Sequence, residues 1–139
     1  MGGPGKGQHT KMVNQIMIGS AMIGVSEAFL YSEKAGINIP EMIELLSGGA
    51  AASFTLEKLG PRMYGGDFAP GFYAEHFHKD LKIAREESSK MGLGAMKGLD
   101  LAFETYTKHL ADGGAKDGTQ AVLKTVAKEN NSEVPQKKE

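Results

Sequence analysis

The sequence contains no cysteine and no tryptophan among its 139 residues. Without cysteine there is no disulfide framework, no thiolate zinc site, no iron–sulfur cluster and no thiol nucleophile. Excess charge is also missing: 16 Lys plus Arg face 17 Asp plus Glu, for a formal net charge of −1. A dedicated nucleic-acid binder carries a basic excess, so no nucleic-acid partner is expected. There is no long hydrophobic run either. The most apolar stretch, Met12 to Ser26, is uncharged but holds Asn14, Gln15, Ser20 and Ser26. Its 15 residues fall short of the roughly 20 needed to cross a bilayer. The first residues, Met1-Gly2-Gly3-Pro4-Gly5-Lys6-Gly7, lack an apolar segment behind a basic start. These absences predict a soluble, intracellular protein with no membrane partner.

What is present is one domain of helices. The length suits a single compact unit, and a chain of this size buries roughly two thirds of its unfolded surface. From Gln8 to Ala35 apolar residues recur at helical spacing on more than one face, as Met12, Ile16, Ile23 and as Val13, Met17, Met22, Phe29, Leu30. Such a helix is expected to be central and covered by neighbours. Gly36 closes it. Pro40 opens a second helix, ended by Ser47-Gly48-Gly49. A third is expected from Ala50 or Ser53 to Leu59, broken by Gly60-Pro61. Residues 60–74 read as an ordered loop pinned by Tyr64, Phe68, Phe72 and Tyr73. A fourth helix spans Ala74 to Met91 and a fifth Ala95 to Ala111, the latter with Met96, Leu99, Phe103, Tyr106 and Leu110 as its buried stripe. Asp117 is the expected cap of a last helix carrying Ala121, Val122 and Val126. From Glu129 on, the Lys-, Glu-, Asn- and Gln-rich tail is expected to be disordered. The fold class is therefore all-α, about six helices around one long central helix, with residues 1–128 as the domain and 129–139 as a tail.

The glycine-rich start is not a phosphate loop. No Ser or Thr follows Gly5-Lys6, and no strand precedes it in this chain. More informative is Lys11 with Asn14 and Gln15, three and four residues on, which share a helix face. Lysine can serve as a general acid/base, and the amides can orient it or hold a substrate oxygen. The bland alternative is a snorkelling lysine beside amides that bridge helices. A second cluster is Glu75-His76-Phe77-His78-Lys79-Asp80. His76 and His78 are two apart and point to different faces, which disfavours metal ligation, so no metal site is assigned. Lys79 and Asp80 read equally well as solvated charges near a helix start.

These motifs resemble, in order and spacing, the second half of β-hydroxyacid dehydrogenases, the family that includes 3-hydroxyisobutyrate dehydrogenase and tartronate semialdehyde reductase. The residues that carry the resemblance are Gly5-x-Gly7-x-x-x-Lys11-x-x-Asn14-Gln15, Ser26-Glu27-Ala28, Lys34-Ala35-Gly36, Pro70-Gly71-Phe72 and Lys79-Asp80-Leu81 with Ala84. It runs from about Gly3 to Lys128. It implies an all-helical domain like the C-terminal domain of 6-phosphogluconate dehydrogenase, following a Rossmann domain that binds NAD or NADP. It implies Lys11 as catalytic acid/base, Asn14 or Gln15 as the substrate-binding amide, Lys79 as a cofactor contact supported by Asp80, and Phe72 as an aromatic near the nicotinamide. The substrate it implies is a small β-hydroxy acid or its semialdehyde.

The Rossmann half has no counterpart in this sequence, so the chain alone is expected to lack tight cofactor binding and turnover. The long first helix is expected to build a homodimer or higher homo-oligomer. A non-catalytic self-association module derived from the same family is the competing expectation.

Overall fold

The computed structural model describes residues 2–139. The chain forms α1 (Lys6–Ala35), α2 (Ile39–Leu46), α3 (Gly60–Tyr64), α4 (Ala74–Lys90), α5 (Lys97–Ala111) and α6 (Val122–Glu129). A π-helical turn at Thr55–Leu59 precedes α3, and a 3₁₀ turn at Thr119–Ala121 precedes α6. Among the described residues no strand occurs, only an isolated antiparallel bridge between Tyr73 and Gly118.

α1 is the axis, because its apolar residues point two ways. Met22, Ile23 and Leu30 join Phe77 and Leu81 of α4, Leu99 and Tyr106 of α5, and Val122 and Val126 of α6 in one buried cluster. Val25 and Phe29 join Ile39, Met42, Ile43, Leu56, Met63 and Leu123 in a second. A helix that is apolar around its circumference can be covered only from several sides. Gly36 ends α1 with φ 71°, a left-handed value that costs glycine little, and the Ile37 N–H reaches back to the Ser32 carbonyl at 2.9 Å. At 30 residues α1 is long and apolar enough to cross a membrane by length and composition, and 44% of its most apolar window is buried against the other helices.

Close approach explains two glycines. A Cβ on Gly19 would stand 3.1 Å from the Ala102 Cβ, so α5 packs almost directly on the α1 backbone. A Cβ on Gly60 would stand 3.3 Å from Ile43 Cδ1. Gly60 and Pro61 were expected to break a helix. They break nothing: the helical turns run on from Thr55–Leu59 into α3, with Gly60 at φ −52° and ψ −52°, and the change from π to α pairing falls at the proline, which has no N–H to give.

The loop before α4 is held by polar groups more than by its aromatic rings. The Arg62 Nε donates to Asp67 Oδ2 at 2.8 Å and its Nη2 to the Ala69 carbonyl at 2.7 Å. The Gln120 Nε2 also donates to the Ala69 carbonyl, at 2.9 Å. Asp117 does not cap α6, which starts five residues later at Val122. Its carbonyl instead accepts from the Ala74 N–H at 2.8 Å, and the Ala115 carbonyl from the Glu75 N–H at 3.1 Å. Two of the first-turn donors of α4 are thus met by backbone from a loop 40 residues away in sequence.

The tail is the other departure. Val134 packs against both apolar clusters, Pro135 is buried, and the Lys137 N–H donates to the Tyr64 carbonyl at 2.8 Å. One valine and one proline inside a polar segment are enough to seat it across α1 and α3. Composition averaged over the segment hides them.

Between α5 and α6 the His109 ring is 2% exposed, with Nδ1 3.0 Å from Thr125 Oγ1 and Nε2 3.3 Å from Asp117 Oδ2. Burial pulls its pKa below the ordinary 6.5, against the opposing pull of the Asp117 carboxylate. The folded chain therefore binds fewer protons here than the unfolded chain, so this contribution is present above about pH 6.5 and is lost as pH falls through the lower folded value. Urea unfolding midpoints should fall from pH 7 to pH 5, less steeply in His109→Gln. The same slope in both proteins would remove His109 as the cause. Packing gives a second test. Gly19→Leu should lower the unfolding free energy by about 2 kcal/mol or more. Gly24→Ala, where a Cβ meets nothing within 4 Å, should raise it by about 0.5–1 kcal/mol. Chemical denaturation of both variants checks the pair.

Candidate active site

The first turns of α1 run past the flank of α4 and are mostly exposed. There the two elements meet through polar side chains. Asp80, one turn and a half into α4, is 7% exposed. Its Oδ2 accepts from the Gln15 Nε2 at 2.9 Å and lies 3.4 Å from the Lys11 ammonium. Gln15 is itself 6% exposed, and its Oε1 accepts from the Asn14 Nδ2 at 3.2 Å. A buried carboxylate is tolerable only when paired and hydrogen-bonded, and Asp80 is both. The Lys11 side chain is 56% exposed, so its ammonium is tethered at one side and open at the other.

Four of the six residues singled out in the sequence are therefore joined: Lys11, Asn14, Gln15 and Asp80. Phe72 is connected less directly. Its ring is 39% exposed and stands 6.4 Å from the Phe77 ring, edge to face. It and Gln15 both line an apolar cleft of about 280 Å³, together with Ile18, Phe54, Thr55 and Phe77. Lys79 is exposed beside Asp80 in the chain. Asp80, expected to support Lys79, is committed to Lys11 and Gln15 instead.

His76 and His78 diverge as their spacing required. His76 faces the Phe72 and Tyr73 rings, at 6.1 and 5.4 Å. His78 stacks on Phe103 of α5 at 4.6 Å, and its Nε2 lies 2.8 Å from Thr107 Oγ1. Sequence reasoning missed Ile18, Phe54, Thr55 and Arg62 beside the cleft. Phe54 is a large apolar residue left 70% exposed at the start of the helical turn that leads into α3, which sequence alone does not show.

Lys79 offers an exposed cation and Phe72 a partly exposed ring, group types that can meet a dinucleotide. They do not form a phosphate cradle, since the strand-to-helix turn that holds a pyrophosphate is absent among the described residues.

Comparison with known proteins gives the family and the fold. The family described as "NAD-binding of NADP-dependent 3-hydroxyisobutyrate dehydrogenase" matches residues 5–126. The chain is 48% identical over 123 residues to the uncharacterized oxidoreductase YkwC of Bacillus subtilis, covering 88% of this chain and 42% of that protein. It is 44% identical over 134 residues to a probable 3-hydroxyisobutyrate dehydrogenase-like protein, mitochondrial, of Arabidopsis thaliana, covering 96% and 40%. The 3-hydroxyisobutyrate dehydrogenase of Mycobacterium tuberculosis superposes with a TM-score of 0.78 at 25% identity, over 85% of this chain and 42% of that one. The fold is thus the helical C-terminal domain of a β-hydroxyacid dehydrogenase. The chain belongs to the 3-hydroxyisobutyrate dehydrogenase family, and it spans about two fifths of the length of the relatives it matches.

The polar cluster makes a stability prediction. Lys11→Ala removes one partner of a largely exposed pair and should change the unfolding free energy by less than about 1 kcal/mol. Asp80→Ala leaves the buried Gln15 amide without its acceptor and should cost about 2 kcal/mol. Denaturant titration measures both, and equal effects would contradict the asymmetry in burial.

Proposed function

We propose that this chain is the substrate-side half of an NAD(P)-dependent oxidoreductase that interconverts a small β-hydroxy acid and its semialdehyde. The observation that carries the reading is the Lys11–Asp80–Gln15–Asn14 cluster, with its lysine held at one side and open at the other. In oxidation the Lys11 amine takes the proton from the β-hydroxyl. In reduction the Lys11 ammonium returns a proton to the carbonyl oxygen. Asp80 fixes where that nitrogen stands, and an amide beside it, Asn14 or Gln15, holds the substrate oxygen. In this reading Phe72, which lines the cleft beside Gln15, and the exposed Lys79 bound the nicotinamide end of the cofactor. The dinucleotide, when bound, supplies the hydride acceptor or donor. A dinucleotide-binding domain packed over this face would exclude water from the open side of Lys11, which the helical domain leaves exposed. The reaction needs no metal, nucleic acid or membrane, and suits a soluble compartment.

A second reading is favoured by one surface. Val13, Met17 and Tyr31 of α1 are 56%, 68% and 74% exposed. They follow one another at multiples of helical spacing along a single stripe, with Gly24 between them open to solvent. That stripe suits a second copy of the chain, as a homodimer. Self-association and catalysis are separable. Nicotinamide absorbance should be followed with a panel of β-hydroxy acids and semialdehydes. The proteins compared are this chain alone and this chain fused behind the N-terminal part of the Bacillus subtilis relative. Activity should appear only in the fusion and fall at least about 10³-fold in Lys11→Ala, while sedimentation shows the same dimer with and without the substitution. Inactivity of the fusion towards every substrate would leave self-association as the function, and a strict monomer at high concentration would remove that.

A further inference from the structure

We propose that the segment Glu133–Lys137 is a latch on the loop that carries Phe72, and that this loop is clamped from both ends of α6. The segment is set up where α6 stops. Asn131 takes φ 50°, a left-handed value that asparagine tolerates, and the Ser132 N–H reaches back to the Ala127 carbonyl at 2.9 Å. The chain then turns across α1 towards α3. Val134 packs against both apolar clusters, and Pro135 is buried. Proline brings no N–H into that buried position, so the segment docks there without an orphaned donor.

Beyond the proline the segment meets the end of α3. The Lys137 N–H donates to the Tyr64 carbonyl at 2.8 Å. Tyr64 is the last residue of α3, where helix carbonyls lack a partner inside the helix. The Gln136 side chain lies over Gly66, whose φ of 75° favours glycine, and a Cβ there would stand 2.8 Å from Gln136 Oε1. Gly66 leads directly into Asp67, which accepts from Arg62 and from the Ala69 N–H, and six residues on the loop reaches Phe72. The residues before α6 hold this second stretch. The Gln120 Nε2 donates to the Asp67 and Ala69 carbonyls at 3.2 and 2.9 Å, the Gly118 N–H to Phe68 and the Thr119 N–H to Phe72. The two halves of the clamp differ in how they are held. Gly118, Thr119 and Gln120 are built into the fold, and Gln120 is 1% exposed. The latch is an extended segment fixed by Val134, Pro135 and the Lys137 N–H, and a cavity of about 460 Å³ separates part of it from Leu30, Glu33 and Lys34 of α1. It is seated at points and not along its length. Its outer end can therefore let go while α6 stays in place, which frees the loop from Tyr64 onward and loosens the seat of the Phe72 ring in its cleft.

Amide hydrogen exchange, followed by NMR on the chain itself, decides this without any catalytic activity. Two variants open the outer end of the latch and leave Val134 and Pro135 in place. Lys137→Pro removes the N–H that Tyr64 receives. A chain ending at Gln136 removes the whole residue. The Gly66 and Asp67 amides donate to the Met63 and Arg62 carbonyls at 3.1 and 2.8 Å. In both variants they should exchange about tenfold faster, and those of Gly118 and Thr119 about threefold faster, by local opening of the loop. Amides in the middle of α4 and α5 should keep their rates. Unchanged exchange at Gly66 and Asp67 would overturn the latch. Equal acceleration in α4 and α5 would also overturn it, since the segment would then be a general brace with no particular hold on the loop. Should Lys137→Pro fail to fold, the shortened chain gives the same reading.

Discussion

The rest of the structure depends on how α1 is buried. A 30-residue helix about 45 Å long exceeds what one small core can cover. The fully buried apolar residues of α1 begin at Met22, and nearer its start the helix is covered on one side only, where Met12, Ile16 and Ile18 pack against the first cluster. That stretch holds Lys11 and Asn14. Both are exposed, on the side of the helix turned away from that cluster. The contact at Gly19, where α5 approaches the α1 backbone closely, marks the edge of that packing. Gln15 and Asp80 sit one turn beyond it, as the first polar pair outside the apolar cluster.

At that edge the physics changes from apolar contact to hydrogen bonding. Asp80 is almost as buried as the leucine that follows it, and a carboxylate there is costly unless its oxygens are engaged. The Gln15 amide meets that need from the helix side and Lys11 from the solvent side. Breaking such a set by removing one buried partner is expensive, whereas the exposed partner contributes little to stability. Lys11 is thus free to be selected for chemistry, while Asp80 and Gln15 are bound by structure as well.

Much of this was legible in the sequence. Helical spacing located α1, α2, α4 and α5 within two or three residues, because their apolar periodicity is strong. The pair Lys11 and Gln15 could be placed on one face from its i, i+4 separation. What could not be read were the meetings of distant segments. Nothing near Asp80 in the chain points to Gln15, 65 residues earlier. Nothing near Asp117 says that its carbonyl, rather than its side chain, would serve a helix, or that the helix would be α4. Gly60-Pro61 was misread because glycine and proline act as breakers only in context. Where π pairing gives way to α pairing, and against Ile43, the same dipeptide is suited to its place. The tail was misread because Val134 and Pro135 are diluted by their polar neighbours, although two apolar side chains suffice to dock it.

The apolar cleft beside Gln15 ties the two halves of this reasoning together. Phe72 reaches it from a loop fixed by Arg62 and Gln120, whose donors both end on the Ala69 carbonyl. That loop is in turn joined to the segment before α6, through the Gly118 N–H to the Phe68 carbonyl at 2.8 Å and the Thr119 N–H to the Phe72 carbonyl at 3.1 Å. The Thr119 carbonyl accepts from the buried Tyr106 hydroxyl at 2.7 Å. A continuous line of hydrogen bonds therefore runs from the core of α5 to the ring that borders the site. Loops that carry function need a rigid support, and here the support is polar where the aromatic residues alone suggested an apolar one. The ring of Phe72 is left partly exposed because its loop is held without it, and it is free to line the cleft beside Gln15.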